Sequence, residues 1–373
     1  MKQIIRRSAV AAALLASVVL FAGCTAYNTK PSESVPEEAA ATEPAADPSG
    51  EDPDGVGDTF SGDLKPFEEE TEPESEPKED TSEDKDVDVI FFMGQSNMSG
   101  AGGDASAAPS VSEDAGMEFR AVSDPTRLYP ITEPFGINEN DPSGLHEFPG
   151  AKKGSMVSAF VNRYHELTGR RVIAVSISMG ATDMNYWKTP GVTEDVSQRF
   201  DKTMSYLKDN GYKAGHVYVL WLHGESDGIV GTDPGVYRTG LDDIMRPLFI
   251  GGVNKVFIIV PGRTIDYKDI LKGIIDVQKQ ICAESPYYAL ATTILSKVSA
   301  EYMKDQYHYN QHILNLVGIK AAESVACYTN TGKELIIYDY RNKDYIVPED
   351  VDPETGQKEE PMELSDVDLN ELY

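Results

Sequence analysis

The sequence predicts an α/β protein in which a mainly parallel, doubly wound sheet of five strands lies between two layers of helices, a three-layer sandwich. Short apolar runs rich in β-branched and aromatic residues recur along the chain, which is typical of strands buried on both faces. Segments with apolar residues at helical spacing separate these runs, so strand and helix alternate about five times. Small polar residues follow several runs, at the edge where open α/β sheets bind ligands.

The first predicted strand ends in a polar turn. Its run over residues 87–92 is apolar apart from one aspartate, and Gly94 is followed by Gln95, Ser96 and Asn97. A serine between a strand and a helix can lie exposed among helix N–H groups, which is the geometry of an acyl-transfer nucleophile. The alternative is an ordinary strand-to-helix turn with Ser or Asn as the N-cap.

The later elements follow in order. Residues 99–150 are rich in Gly, Pro, Ser and Asp without sustained periodicity, so we expect an irregular loop that borders the pocket after Ser96. Further strands are predicted at residues 171–177, 216–222, 255–260 and 288–295. Helices are predicted at residues 155–168, 195–207, 234–246, 267–282 and 309–327. Residues 335–346 predict an appended strand or hairpin that turns at Arg341, Asn342 and Lys343.

The N-terminus predicts a secretory signal on a lipoprotein. Basic residues precede an apolar run over residues 9–21, which is short for a membrane span and suits a signal peptide over residues 1–23. Residues 20–24, LFAGC, resemble the bacterial lipobox, in which the cysteine is lipidated and becomes the mature N-terminus. We therefore expect an extracytoplasmic protein anchored to the cell membrane through Cys24. An ordinary signal peptide or an uncleaved short anchor is the alternative.

The net charge of -29 is spread unevenly. Residues 25–86 carry -17 and residues 349–373 carry -9, which leaves -6 for residues 87–348. Both acidic segments are poor in large apolar residues and cannot offset the entropy lost on ordering. We therefore expect a disordered tether over residues 24–86, one globular domain over 87–348 and a disordered tail. The domain has no basic footprint for nucleic acid.

Two cysteines, Cys282 and Cys327, remain besides the predicted lipidation site. They could pair outside the cell or be two buried thiols, and their spacing does not decide between these alternatives. Two cysteines alone make neither a metal site nor a disulfide scaffold.

Four polar clusters fall at the predicted carboxyl edge of the sheet. They are residues 94–97, 178–180, 223–225 and 305–308. In a right-handed doubly wound sheet all four face the same edge. A serine nucleophile such as Ser96 needs a base and a carboxylate that orients the base, and His308 and Asp305 can supply both from one turn. Gly180 can present a bare backbone N–H to an oxyanion, because no Cβ blocks the approach.

The clusters together resemble a known superfamily. The chain has GQSNM after the first strand, a Gly block after the second, HGESD after the third and DQYH before the last helix. This combination resembles the SGNH hydrolases, and within them the branch of sialate O-acetylesterases and acetyl-xylan esterases. The resemblance covers most of the globular domain and implies a flavodoxin-like fold. It implies that Ser96 is the nucleophile, His308 the general base and acid, and Asp305 the orienting carboxylate, with the N–H groups of Ser96 and Gly180 in the oxyanion hole.

The pattern departs from the branch at one position and leaves three roles open. The branch usually has Gln at the position of His223, where its side chain is thought to complete the oxyanion hole; either His223 donates instead, or the hole has two donors. Glu225 matches the family's GE pair, which implies a buried support for the GQSN turn, and the alternative is an exposed loop acid. Gln95 and Asn97 are expected to support the pocket. Trp187 is either a sugar platform or core packing.

These observations predict a surface-anchored serine esterase that removes O-acetyl groups from sugars or polysaccharides such as sialic acid or xylan. By the resemblance, no metal or organic cofactor is expected. The alternatives are a glycan-binding envelope lipoprotein without turnover, and an esterase that acts on peptidoglycan or lipid esters. The loop over residues 99–150 lacks the dense apolar surface of a lipase lid, which weakens the lipid alternative.

Overall fold

A computed structural model describes residues 85–266 and 269–366. Seven strands form its central sheet: β1 (Asp86–Gly94), β2 (Gly116–Arg120), β3 (Asp124–Pro130), β4 (Arg171–Ser178), β5 (Lys213–Leu222), β6 (Lys255–Ile259) and β7 (Tyr288–Thr292). Their order is β3-β2-β4-β1-β5-β6-β7. Every neighbouring pair is parallel except β2 and β3, which are antiparallel. The predicted signal peptide, Cys24 and nearly all of the predicted tether lie outside the described residues.

The helices lie in two layers over the sheet. They are α1 (Ser96–Ser99), α2 (Val157–Thr168), α3 (Met184–Trp187), α4 (Pro190–Asp209), α5 (Glu225–Val230), α6 (Pro234–Gly251), α7 (Lys272–Glu284) and α8 (Gln311–Thr331). One apolar core joins α4, α6 and α7 to one face of the sheet, and a second core joins α2 and α8 to the other. The predicted doubly wound, three-layer α/β fold is confirmed.

The central strand β1 is buried on both faces because nearly all of its residues are apolar. Val89 and Phe91 point into the core with α4, α6 and α7, whereas Ile90 and Phe92 point into the core with α2 and α8. The Phe91 ring contacts that of Phe200 at a centroid distance of 5.4 Å. Truncating a phenylalanine buried in this way to alanine costs about 3–5 kcal/mol of unfolding free energy.

The strand order reverses at β1, which positions the candidate site. The chain leaves β1 toward β4 on one side and then crosses to β5 on the other. Gly94 at the end of β1 is in register with Ser178 of β4 and with Leu222 of β5. The residues that follow these three strands therefore start at the same level, in the crevice where doubly wound sheets bind ligands.

The prediction of five strands is wrong, because two further strands form within the stretch that we expected to be irregular. β2 adds to β4, and β3 returns antiparallel at the edge of the sheet. β2 is only five residues long, and β3 is a half-exposed edge strand that begins Asp-Pro and ends in Pro. Such strands carry little alternation of apolar and polar residues, so the sequence pattern hides them.

The predicted hairpin after the last helix is confirmed. β8 (Ile337–Asp339) and β9 (Asp344–Ile346) pair antiparallel. Asp339 closes the turn by accepting hydrogen bonds from the backbone N–H groups of Arg341 and Asn342, at 3.1 and 3.4 Å. Short polar side chains that bond to nearby backbone in this way are typical of tight turns.

The prediction of a disordered tail is wrong for residues 349–366, which pack on the domain. The Ile336 N–H donates to the Gln357 carbonyl, and the Glu359 N–H donates to the Ile336 carbonyl, both at 2.9 Å. Leu364 is buried, and so is the carboxyl of Glu359, whose pKa burial raises to about 7. A few apolar residues and backbone pairing thus hold an acidic segment that composition alone marked as unfolded.

Cys282 and Cys327 do not pair with each other: both are free thiols, Cys327 buried and Cys282 half-buried. Within the described ranges, no helix is both long enough and apolar enough to span a membrane.

Candidate active site

The turn that carries Ser96 depends on a glycine at the end of β1. Gly94 has φ of +146°, and a Cβ at this position would lie 2.0 Å from the carbonyl oxygen of Leu222. The chain can therefore bend directly from the strand into α1, with Ser96 as its first residue and 8% exposed. Gln95 fixes the bend: its N–H donates to the Leu222 carbonyl at 3.1 Å, and its side-chain oxygen accepts from the Ser226 N–H at 3.4 Å.

Asn97 ties this turn to two of the other predicted clusters. Its Nδ2 donates to Oε1 of Glu225 at 2.7 Å and to the carbonyl of Tyr307 at 3.2 Å. Its Oδ1 accepts from the N–H of Tyr309 at 3.3 Å. The residue after Ser96 is therefore bonded to both neighbours of His308, which draws the serine and the histidine to one place. A Cβ at Gly102 would lie 2.7 Å from Cβ of His308, so this glycine also lets the two segments approach closely.

Asp305 and His308 form the pair that the sequence predicts. Oδ2 of Asp305 lies 2.8 Å from Nδ1 of His308, while its Oδ1 accepts from the N–H groups of Tyr307 and His308 at 2.9 and 3.0 Å. Burial alone would raise the pKa of Asp305, but these hydrogen bonds, chiefly that of His308, lower it to about 2. The ionised carboxylate favours the tautomer with the proton on Nδ1, which leaves Nε2 of His308 free to act as a base.

The last link of a triad is open in this structure. Among the described residues, no hydrogen bond of 3.5 Å or less joins Oγ of Ser96 to His308. Catalytic hydrogen bonds of this kind are often long without substrate and tighten in the complex. The structure thus places Ser96, Asp305 and His308 on adjoining segments, with the carboxylate and imidazole already paired.

Gly180 lies against Ser96, as the sequence predicts for an oxyanion donor. A Cβ on Gly180 would lie 3.3 Å from Cβ of Ser96. Its N–H, however, already has an acceptor: it donates to Oε2 of Glu147 at 2.7 Å. Glu147 is 3% exposed, so a carboxylate from the long loop is buried at the position where an oxyanion would be expected. Sequence reasoning missed this residue.

Glu225 is a buried acid that contacts the nucleophile turn. Its Oε1 accepts from Asn97, and its Oε2 has no hydrogen-bond partner within the described residues. Burial raises the pKa of Glu225, and the hydrogen bond from Asn97 opposes that shift. The exposed-acid alternative is excluded, and the position agrees with the predicted support of the GQSN turn.

His223 lies in a buried aromatic cluster beside the site. Its ring centroid is 4.9 Å from that of Trp221, 5.8 Å from that of Trp187 and 5.9 Å from that of Tyr237. Burial lowers the pKa of His223 to about 3, so the ring is neutral at ordinary pH. None of its described hydrogen bonds or ring contacts reaches Ser96, and its part as a third oxyanion donor stays a prediction.

Trp187 belongs to the core. The side chain is fully buried, packs edge-on against Trp221 at 4.9 Å and donates from its indole N–H to Oγ1 of Thr182 at 3.0 Å. The interpretation of Trp187 as a sugar platform is therefore wrong, since a ring without exposed surface cannot stack on a sugar. A tryptophan needs apolar surroundings for its ring and an acceptor for its N–H, and a position in the core supplies both as well as a sugar-binding position would.

Lys152 is a second residue that sequence reasoning missed. Its Nζ donates to Oγ of Ser176 at 3.1 Å and to Oγ of Ser178 at 3.2 Å, below the end of β4. Burial lowers the pKa of Lys152 to about 8, with Glu147 as the strongest opposing charge. Nothing in the spacing of the loop relates Lys152 or Glu147 to Gly180, so only the fold reveals the pair.

Within the part of the chain that the structure describes, no group of three or more His, Cys, Asp or Glu side chains could hold a metal ion.

The sheet, with a serine at the carboxyl end of its central strand and a carboxylate–histidine pair before the last helix, defines an SGNH-type α/β hydrolase. Residues 86–327 match the carbohydrate esterase family described as sialic acid-specific acetylesterase. The chain belongs to this family and is a hydrolase that acts on ester bonds, with the deacetylase activity of a carbohydrate acetylesterase.

Comparison with solved structures returned matches of low identity. A protein of Arabidopsis thaliana is 13% identical, with 66% of this chain and 99% of that chain covered and a TM-score of 0.47. A carbohydrate acetylesterase from Xanthomonas citri is 11% identical, with 66% and 57% covered and a TM-score of 0.41. A mutant of an acetyl-xylooligosaccharide esterase from Geobacillus is 11% identical, with 63% and 92% covered and a TM-score of 0.36. The search of curated proteins found no match.

Proposed function

We propose that this protein is a serine carbohydrate esterase that removes O-acetyl groups from sugars through an acyl-enzyme on Ser96. The observation that supports this proposal most directly is the hydrogen bonding of Asn97, which joins the Ser96 turn to the segment that carries the paired Asp305 and His308. A nucleophile, an oriented base and a candidate oxyanion donor then lie on adjoining segments, which is what acyl transfer requires.

In the proposed acylation, Oγ of Ser96 attacks the acetyl carbonyl carbon and passes its proton to Nε2 of His308. Asp305 stabilises the imidazolium that forms through its hydrogen bond to Nδ1. The N–H groups of Ser96 and Gly180 stabilise the negative charge on the carbonyl oxygen. The intermediate collapses as the bond to the sugar oxygen breaks, and His308 returns the proton to that oxygen, so the sugar leaves as an alcohol.

In the proposed deacylation, His308 takes a proton from water, and the resulting hydroxide attacks the acetyl group on Ser96. The same oxyanion donors stabilise the second tetrahedral intermediate. His308 then protonates Oγ of Ser96, and acetate is released with the enzyme restored. Each step uses only this chain's side chains and backbone together with water.

The substrate that we propose is an O-acetylated sugar, either free, as in O-acetyl sialic acid, or within a polysaccharide such as xylan. Support comes from the family to which the chain belongs, whose description names sialic acid-specific acetylesterases. The alternative without turnover, a glycan-binding protein, would need neither an ionised Asp305 nor a histidine oriented by it, and both are present.

Acetate release from O-acetyl sialic acid and from acetylated xylan tests the proposal. We expect turnover by the wild type and a loss of at least about 10⁴-fold in Ser96→Ala, because the nucleophile is removed. Ser99→Ala is a matched control on the same short helix, since Oγ of Ser99 has no described hydrogen-bond partner. A Ser96→Ala variant that keeps wild-type activity would overturn the assignment, and wild-type protein that releases acetate from no ester would favour the binding alternative.

We further propose that the protein is a lipoprotein held at the cell membrane through Cys24, with the acidic segment after it as a tether. The support is the basic, apolar and LFAGC sequence of the first 24 residues. Expression in a bacterium with a radiolabelled fatty acid should label the wild type and place it in the membrane fraction. Cys24→Ser should abolish the label, and equal labelling of both forms would contradict the proposal.

A further inference from the structure

The candidate oxyanion donor is already occupied by a carboxylate of the chain itself. The Gly180 N–H donates to Oε2 of Glu147 at 2.7 Å, and a Cβ at Gly180 would lie 3.3 Å and 3.4 Å from the two carboxylate oxygens. The same point is 3.3 Å from Cβ of Ser96. The carboxylate, the glycine and the serine therefore share one small space beside the nucleophile.

A backbone N–H that donates fully to one oxygen cannot stabilise another. A glutamate carboxylate has the planar CO₂ group of acetate, and a hydrogen bond from N–H to an ionised acceptor is about twice as strong as a neutral one. We propose that Glu147 occupies the acyl subsite as a tethered competitor, and that its carboxylate must leave Gly180 before an acetyl group or acetate can bind there. This inference rests on the proposed function of Gly180 as an oxyanion donor.

The backbone around Glu147 is held firmly, so the carboxylate moves by side-chain rotation. Oδ1 of Asn140 accepts from the N–H of Glu147 at 2.9 Å, and Oδ2 of Asp195 accepts from the N–H of Leu145 at 2.8 Å. Asp195 is itself paired with the fully buried Arg199. A side chain that turns about its own bonds on a fixed backbone can vacate the subsite without the opening of a loop.

Lys152 supplies a buried positive charge that opposes the negative charge of the Glu147 carboxylate. Its ammonium group is buried and bonds to the hydroxyls of Ser176 and Ser178, and among the described residues no carboxylate lies within 4 Å of it. Glu147 is the acid that acts most strongly on it. An ionised carboxylate buried without a cation would be costly, and the charge of Lys152 offsets that cost for Glu147.

A tethered competitor lowers the apparent affinity of every ligand that needs the same donor. The measured dissociation constant equals the intrinsic one divided by the fraction of protein with a vacant subsite. Glu147→Ala should therefore lower the KM for acetyl esters and the dissociation constant of acetate together, with kcat little changed. Glu147→Gln should lie between, because the amide oxygen still accepts a hydrogen bond but carries no charge.

The test is the binding of [1-¹³C]acetate, followed by NMR, to the wild type, Glu147→Ala and Glu147→Gln. We expect acetate to bind at least about tenfold more tightly to Glu147→Ala than to the wild type. Glu113→Ala is the control: this acid is exposed, and its backbone carbonyl accepts from Arg171 at the opposite end of the sheet. Equal acetate affinity in all four proteins, or weaker binding to Glu147→Ala, would overturn the proposal.

Glu147→Gln keeps the size of the side chain and so protects the test against misfolding of Glu147→Ala. Asn140→Ala keeps the carboxylate and loosens only the backbone, so acetate affinity should stay near that of the wild type. A gain in folded Asn140→Ala as large as that in Glu147→Ala would contradict rotation on a fixed backbone. Labelling of Ser96 by a fluorophosphonate tests the proposed function separately. If acetate binds more tightly after Glu147→Ala but Ser96 is never labelled, Glu147 is still a competitor for the subsite. The proposal that Ser96 is the nucleophile would then be wrong.

Discussion

The two ends of the central strand treat buried polar groups in opposite ways. At the amino end, the fully buried Asp88 accepts from Oη of Tyr164, Nε of Arg170 and the N–H of His216, at 2.6, 2.5 and 2.8 Å. Nδ1 of His216 lies 3.0 Å from the same carboxylate. At the carboxyl end, Ser96 has no bond to its proposed base, and buried atoms of Ser99 and Glu225 lack described partners.

This difference indicates that polar residues at the amino end of the strand stabilise the fold, whereas those at the carboxyl end act in the proposed reaction. A buried carboxylate with every oxygen paired stabilises the fold, and its surroundings offer nothing to a ligand. Polar groups that are left open at the other end cost stability, and such conflicts are expected where a protein binds or transforms a substrate. We therefore expect substitutions at the carboxyl end to affect the rate and substitutions at the amino end to affect the free energy of unfolding.

Among substitutions that keep the nucleophile, the largest effect is expected for Asp305→Asn. The amide cannot stabilise an imidazolium and favours the wrong tautomer of His308, so kcat should fall by about 10³–10⁴-fold. The folded pKa of Asp305 is about 2, so its carboxylate is ionised throughout the usual assay range. Between pH 5 and 9, no change in the wild-type rate should come from this group. Steady-state kinetics across that range, with thermal unfolding as the check on folding, measures both points; a loss below tenfold would contradict the role.

Asp88→Asn should affect stability alone, by about 3 kcal/mol at pH 7, because it removes the buried charge that the half-buried Arg170 pairs with and weakens the hydrogen bonds from Tyr164 and His216. Burial would raise the pKa of Asp88, but hydrogen bonds from His216, Arg170 and Tyr164 lower it overall. The folded pKa therefore lies below the unfolded one, so this stabilisation is present above about pH 4 and is lost as the pH falls through the folded value.

Urea unfolding of Asp88→Asn and wild type at several pH values measures this contribution. The difference between the two proteins should shrink toward low pH, and kcat per folded molecule should be unchanged. Asp86→Asn is the control, since Asp86 is exposed and its ion pair with Lys213 at 3.9 Å contributes about 1 kcal/mol or less. A large loss of kcat in folded Asp88→Asn would break the separation of the two ends.

Asn97→Ala should have a smaller, mixed effect. It removes hydrogen bonds to Glu225 and to the Tyr307 and Tyr309 backbone, and it leaves the carboxyl of Glu225 without its only described partner. We expect about 1–3 kcal/mol of lost stability and a fall in kcat with little change in KM, because the segment of His308 is released from the Ser96 turn. Unaltered kcat would show that Asn97 does not position the triad.

The smallest effect on rate is expected for His223→Gln. The ring is buried among Trp187, Trp221 and Tyr237, and none of its described contacts reaches the nucleophile, so kcat should change by less than about threefold. Loss of an oxyanion donor costs about 10²–10³-fold in other hydrolases. Because Gln keeps an N–H donor at this position, His223→Phe is the variant that removes one. A loss of that size in folded His223→Phe, but not in His223→Gln, would place His223 in the oxyanion hole.

The sequence was sufficient for the parts of the fold that a periodic pattern or a local spacing encodes. Apolar runs predicted β1 and the four strands β4 to β7, and the D-x-x-H spacing predicted the Asp305–His308 pair that the structure contains. Trp187 shows the limit, because an aromatic residue near a pocket has the same pattern whether it faces a sugar or the core. The acidic tail shows a second limit of prediction from sequence. Its composition predicted disorder, but burial of Leu364 and backbone hydrogen bonds with Ile336 hold it on the domain.

Glu147 could not have been predicted, and the reason is physical. It lies in a loop without periodicity, and its contact with Gly180 joins residues 33 positions apart through the packing of that loop against β4. Asn140 and Asp195 hold the loop in place, and nothing in their sequence spacing relates them to the site either. Contacts that depend on loop packing carry no local signal, whereas contacts set by strand ends follow from topology.

The site of covalent labelling tests most directly whether Ser96 is the nucleophile. Wild-type protein treated with a fluorophosphonate and digested should carry the adduct on the peptide with Ser96. Labelling should be slowed strongly in His308→Asn and be absent in Ser96→Ala. An intact protein without an adduct, or an adduct on Ser178 beside Lys152, would contradict the account.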